Sequence, residues 1–336
     1  MRADGRDPAA DRGRTARQPQ EIPARGWWDV TWRVLKRLGS DNVTLVAGGL
    51  AMYALLSVFP GLTAAVSVYG LFSSPDDVLK HMSVFAGVLP PGVLDIFNAQ
   101  LQTFVSHAQS TLSVAAALGL VLALWSARSA MSALMTATNI AYGEREKRNF
   151  FIQVLISLVL TLGAIVGFIA MLLLGVAIPV ALKVLGTSTW AQWALDVPQW
   201  MLLWLFAIVA LAFVYRYAPA REPARWRWVT WGSAIAATLW LAASALFAIY
   251  VRTFANYGRT YGALGGVVAL LMWFYLSGIL VVLGAEINAE MERQTRQDTT
   301  EGPAEPMGRR GAYAADTIGP SAGETAPTKA RELQGK

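Results

Sequence analysis

Six stretches of this chain are each long and apolar enough to cross a bilayer, and that feature narrows the fold more than any other. They lie near residues 43–72, 112–140, 150–182, 197–215, 229–251 and 261–285. A hydrocarbon core roughly 30 Å thick takes about 20 residues of α-helix. The expected fold is therefore all-α: a polytopic membrane helix bundle with six transmembrane helices. Composition agrees. Of the 336 residues 55% are hydrophobic and only 15% charged, too little charge to cover a soluble surface of that size. The 13 Trp suit a protein with two membrane–water boundaries, where indole is favoured. The first stretch contains Pro60 and Gly61 and should kink there, or break into a span and a short return. The second and third exceed the core thickness and must tilt or project into water.

The linkers orient the bundle. Arg25, Arg33, Lys36 and Arg37 precede the first stretch. Arg145, Lys147 and Arg148 follow the second, Arg216, Arg221, Arg225 and Arg227 follow the fourth, and Arg293 and Arg296 follow the sixth. The opposite side has only Lys80, Lys183, Arg252 and Arg259. Basic residues collect on the cytoplasmic side, so both termini are expected in the cytoplasm (N-in/C-in). The same positions explain the net charge of +6 without nucleic acid, and none is expected as a partner. Membrane lipids are.

Outside the spans, residues 1–25 and 295–336 read as disordered cytoplasmic tails flanking a membrane domain at 26–294, being rich in small, polar and charged residues. Within residues 26–40, Trp28, Trp32 and Leu35 recur at helical spacing while Arg33, Lys36 and Arg37 take other angles. This suits a short helix in the headgroup layer; the alternative is an extension of the first span. The longest external loop, 73–111, carries two apolar stripes at helical spacing, Val78, Leu79, Met82 and Phe85, then Val93, Leu94, Phe97, Leu101, Phe104 and Val105. Two amphipathic external helices are expected, capping the bundle or lying on the outer leaflet.

Catalytic chemistry finds little material. There is no cysteine, and the two histidines, His81 and His107, both fall in the external loop. No metal-ligand spacing, phosphate-binding glycine loop or nucleophile elbow is present, so no cofactor, metal or catalytic residue is expected. The informative residues are polar and small ones inside the spans. Arg128 lies within the second span, where an ionisable group either faces a partner or cavity or snorkels to the headgroups. Glu286 enters at the cytoplasmic end of the sixth span at a similar depth, and the two can pair. Asn139, Ser57 and Tyr53 complete a candidate intramembrane polar site. Gly163 with Gly167, and Gly262 with Gly266, allow close helix approach, within one subunit or across a homo-oligomer seam.

Several strings together resemble the YihY/BrkB family of bacterial inner-membrane proteins. They are the run from Leu50 to Pro60 (LAMYALLSVFP), Leu124-Trp125-Ser126-Ala127 with Asn139 and Tyr142, and Arg216-Tyr217-Ala218-Pro219. Tyr261-Gly262-Ala263-Leu264-Gly265, Trp273-Phe274-Tyr275 and Gly284-Ala285-Glu286-Ile287-Asn288-Ala289 follow. The likeness covers roughly residues 27–292. Met52 stands where an aromatic is usual, and Ala220 where Asn usually follows Tyr-Ala-Pro. The resemblance implies an envelope function, including transport of lipids or other amphiphiles; part of the family carries a ribonuclease BN label and part a virulence-factor label. A metal-dependent nuclease needs clustered His and Asp, which this sequence lacks. The expected function is movement of a lipid or other amphiphile, the alternative a non-transporting scaffold, with a membrane-bound ribonuclease last.

Overall fold

The computed structural model describes residues 10–70, 114–172, 189–254 and 264–324. The external loop with its expected amphipathic helices, both histidines and Gly262 lie outside these residues. Seven helices of more than two turns form among them: α1 (Ala24–Ser40), α2 (Val43–Gly70), α3 (Val114–Tyr142), α4 (Phe150–Leu172), α5 (Thr189–Tyr217), α6 (Trp226–Phe254) and α7 (Leu264–Glu292). A one-turn helix, α8 (Tyr313–Asp316), follows. The described residues contain no strand; one antiparallel bridge joins Ala224 to Thr300.

The chain is thus all-helical, and α2 to α7 fall on the six apolar stretches. Four helices, α4 to α7, are long and apolar enough to cross a membrane, or five counting α1 and α2 as one bent pair. The angle between α1 and the first part of α2 is 65°, with the bend at Asp41 and Asn42. Asn42 takes a positive φ of 49°, a left-handed conformation that asparagine tolerates better than most residues. Helix α2 runs on through Pro60 to Gly70.

Helix α7 is central, packing on α1, α2, α3 and α6, while α4 sits at the edge against α3 and α5. The core is built mostly of small residues. Val43 and Leu50 of α2, Ala137 and Ala141 of α3, Ala212 of α5, and Val282, Ala285 and Ala289 of α7 form one buried cluster. Helices meet this closely because lipid gives no hydrophobic drive, leaving packing and polar contacts to hold them. Gly278 of α7 has Ala47 of α2 against it, with a Cβ at that glycine only 3.3 Å from the Ala47 backbone. Three indoles bridge helices: Trp240 Nε1 donates to Ser277 Oγ at 2.9 Å, Trp273 Nε1 to Ser244 Oγ at 3.3 Å, and Trp204 Nε1 to Thr238 Oγ1 at 2.9 Å. The outer face is apolar. On α4, Phe151, Leu155, Val159, Leu162 and Val166 are all exposed, at spacings of four, four, three and four. Such a continuous stripe is what lipid covers.

The tails depart from expectation. Residues 10–23 and 295–324, whose composition predicts disorder, pack onto the end of α7. Arg310 is the reason for much of the C-terminal segment: its guanidinium donates to the carbonyls of Ala315 at 2.7 Å, Arg296 at 2.8 Å, Glu305 at 3.0 Å and Gln297 at 3.2 Å. Arg14 does the same for the N-terminal one, donating to Gly319 O at 2.8 Å, while Arg296 N returns a bond to Arg14 O at 2.8 Å. Backbone carbonyls satisfied by buried guanidinium groups replace the apolar core that these segments lack.

Candidate functional site

Three of the strings that carry the resemblance, Asn139 with Tyr142, Arg216–Pro219 and Gly284–Ala289, meet near the end of α7 where both tails pack. Glu286, Asn288, Glu290 and Glu292 are all fully buried there. Buried carboxylates survive only when paired or hydrogen-bonded, and each finds its own solution. Glu292 accepts both arms of the Arg221 guanidinium, Nη1 to Oε1 at 3.0 Å and Nη2 to Oε2 at 2.7 Å, plus Thr299 Oγ1 at 2.6 Å. Arg221 also lies over the Tyr142 ring, 4.9 Å from its centroid. Asn288 pins α6 to α7: Gly232 N donates to its Oδ1 at 2.9 Å and its Nδ2 donates to Val229 O at 3.1 Å. A side chain at Gly232 would strike Asn288 and the Gly284 carbonyl, so glycine is required for this approach.

Glu290 collects three arginines. Arg33 pairs with it through Nε, Arg293 Nη1 sits at 2.7 Å and Arg37 Nη1 at 3.2 Å. Arg33 and Arg37 come from α1, so these pairs clamp α1 to α7. Glu286 is the exception. Its closest ion pair is Arg37 Nη1 at 3.4 Å, and neither carboxylate oxygen has a hydrogen-bond partner. Helix α1 consequently turns its arginines inward and leaves Trp28 and Leu35 65% and 64% exposed, with Lys36 over the Trp32 ring at 4.3 Å. Two residues of the apolar stripe read from the sequence, Trp28 and Leu35, thus lie on the outer face.

At the last turn of α3, Asn139 Nδ2 donates to Glu146 Oε2 at 3.1 Å and its Oδ1 accepts from Ala220 N at 2.7 Å, tying two loops together. That contact uses backbone, so Ala220, the departure from the family pattern, serves as well as asparagine there. Arg148 donates to Glu146 and to Ala218 O at 2.8 Å. Its hydrogen bonds are the main reason the Glu146 carboxyl is held below the usual carboxylate range. Asp29 is also held low: burial pushes it up, but the Ala322 N–H and the Arg12 guanidinium outweigh that.

The candidate polar site of the sequence therefore divides in two. Glu286 and Asn139 belong to the α7 end. Arg128 lies on α3, whose seam with α2 is marked by Ser57 Oγ, donating to Tyr53 O at 2.7 Å and contacting Ser126 O at 3.4 Å; Tyr53 is 49% exposed. Arg128 and Glu286 are not partners: Glu286 lies with Arg37. The Arg128 guanidinium stacks on Trp125 at 4.5 Å, its Nε is buried without a hydrogen-bond partner, and no described carboxylate pairs with it. Gly167 lies under Phe206 of α5, with a Cβ there 3.2 Å from its ring, while Gly163 and Gly266 face open space. Sequence reasoning missed the Arg33/Arg37 and Glu286/Glu290 ladder. Both pairs are spaced four residues apart, and that matching period on two helices was the available signal. Among the described residues, no group of three His, Cys, Asp or Glu side chains is placed to hold a metal ion.

A helical bundle with a lipid-like exterior and most of its charged side chains gathered at one end is a multi-pass membrane protein. Residues 34–308 match the family model described as Virulence factor BrkB, and the chain belongs to that family. It is 33% identical over 257 residues to a protein of Bacillus subtilis named as ribonuclease-like, YfkH, covering 74% of this chain and 89% of that one. It is 26% identical over 289 residues to a UPF0761 membrane protein of Idiomarina loihiensis (83% and 97% covered) and 28% over 280 residues to one of Vibrio vulnificus (80% and 84% covered). No solved structure matches the chain.

Proposed function

We propose that the chain is a six-span inner-membrane protein, N-in/C-in, that moves a lipid or other anionic amphiphile along the seam between α2 and α3. The observation that carries this reading is Arg128. Helix α3 is 29 residues long and Arg128 is its one charged residue. A guanidinium at that position is costly unless an anion or water meets it, and the described residues supply only the Trp125 face and no acid. An anionic headgroup fits a guanidinium better than any neutral solute, since two parallel N–H donors match two oxygens. The six-span part is supported by α2, 28 residues without a charge, and by α3, which add to the four helices already long and apolar enough to cross. The orientation is supported by both tails and the α3–α4 and α5–α6 loops meeting at one end of the bundle, where the arginines are.

The scaffold alternative rests on the same end, which presents an ordered polar surface from both tails. The test is purified protein in liposomes with labelled anionic lipid, comparing wild type with Arg128→Lys and Arg128→Ala at equal protein content. Transport should fall at least tenfold in the alanine variant and clearly in lysine, which lacks the fork. No movement by wild type, or equal movement by all three, defeats the reading. Reporter fusions after Glu144, Arg221 and Arg296 should report cytoplasm and fusions near Gly92 and Ser188 the outside.

A further inference from the structure

The elbow between α1 and α2 holds two acids that share one arginine. Glu286 has no exposed surface, and neither of its oxygens accepts a hydrogen bond. Asp41, which ends α1, has its Oδ2 buried and also without a hydrogen bond, although Arg37 Nε lies 3.2 Å away. The two carboxyl groups interact with one another. Arg37 hydrogen-bonds neither acid: its Nη1, 3.4 Å from Glu286, donates to Ala141 O at 3.0 Å and to Glu290 Oε1 at 3.2 Å, and its Nε makes no hydrogen bond to Asp41. The other groups facing this pair do not help. From α7 comes Glu290, a third acid occupied by Arg33 and Arg293. From α3 comes Tyr142, whose buried hydroxyl makes no hydrogen bond to either acid. The adjoining start of α2, Val43 to Ala47, has no titratable side chain, and Tyr313 lies by Arg37 and under Arg293.

Three orphaned oxygens on two carboxyl groups, next to one committed guanidinium, lack a donor. An O–H supplies it: one proton placed on either acid donates to an oxygen of the other and removes one buried charge at the same time. A metal ion would need more ligands than the pair provides, and no group of three acids or histidines forms among the described residues. We propose that Glu286 and Asp41 bind a single exchangeable proton between them at the α1–α2 elbow. The proton is taken from and returned to solvent, with no bond broken other than O–H. This site is separate from the Arg128 seam and holds whether or not the bundle moves an amphiphile.

Infrared difference spectra of the full chain in lipid nanodiscs, recorded across a pH series, test it. Wild type should show a protonated-carboxyl carbonyl band that disappears on titration. The band should be lost in Glu286→Gln, lost or displaced in Asp41→Asn, and retained in Glu146→Gln. Heavy-carbon labelling of glutamate carboxyl groups should shift or split the band in the unsubstituted protein, which covers the case in which a variant does not fold. A wild-type spectrum without such a band, or one unchanged by both Glu286→Gln and the label, means that Glu286 is a permanent ion paired to Arg37, and overturns the proposal.

Discussion

Replacing Arg221 with methionine isolates what a buried ion pair does at the end of α7. The side chains of Arg221 and Glu292 are 2% and 0% exposed, so water cannot take over when one is removed. After Arg221→Met, Glu292 keeps only the Thr299 hydroxyl at 2.6 Å. Stranding a buried carboxylate in this way costs about 3–5 kcal/mol. At about 1.4 kcal/mol per tenfold, the ratio of folded to unfolded protein should fall by two to nearly four powers of ten. The contact of Arg221 with the Tyr142 ring contributes a further ~1 kcal/mol and is lost in every variant lacking the arginine. The decisive comparison is Arg221→Met/Glu292→Met, which removes both charges and keeps the volume. Replacing a whole buried pair with apolar side chains is often neutral or stabilising, so the double variant should be more stable than Arg221→Met alone. Denaturant titration in detergent micelles, followed by tryptophan fluorescence, measures both. A single variant as stable as wild type, or a double variant less stable than the single, refutes the reasoning.

Three other outcomes are expected. Gly232→Ala puts a methyl group against Asn288 and the Gly284 carbonyl and should destabilise by about 1–3 kcal/mol, read in the same titration; an unaltered midpoint contradicts the packing described. Glu146 has its carboxyl held below its ordinary value of 4.5. Its stabilisation is therefore present above that pH and lost as pH falls through the lowered value. The stability difference between wild type and Glu146→Gln should be constant near neutrality and vanish in acid, and a difference that grows in acid has the wrong sign. Asn139→Ala removes the bonds to Glu146 and Ala220 and should raise amide hydrogen exchange at residue 220 without altering exchange in mid-helix.

The long helices were legible because each is a run of apolar residues whose length matches a bilayer, and that signal survives any detail of packing. The orientation of α1 was legible as well: Trp28, Trp32 and Leu35 share a face, and that face is open. What escaped was the work of the charged residues. Arginine-rich, glycine-rich tails look disordered when judged by apolar content, yet Arg14 and Arg310 order them through carbonyls distant in sequence. Composition does not record which carbonyl a guanidinium will reach. Arg128 and Glu286 were singled out as ionisable groups that can pair, but similar depth along two helices does not place them on facing sides. Arg37 wins Glu286 because the elbow at Asp41 and Asn42 swings α1 beneath α7.

The clamp between α1 and α7 also constrains how the chain is made. Arg33 meets Glu290 and Gln294 across 257 and 261 positions of sequence, so an emerging chain must hold its N-terminal arm unpaired until the last long helix has been synthesised. Until then Arg33 and Arg37 belong to water and lipid phosphates. The arm can dock only once α7 is in place, and a chain truncated before Glu290 presents an open arm with free arginines. Closure of this clamp is thus a physical mark that α7 has been made, and it would be read in the accessibility of α1.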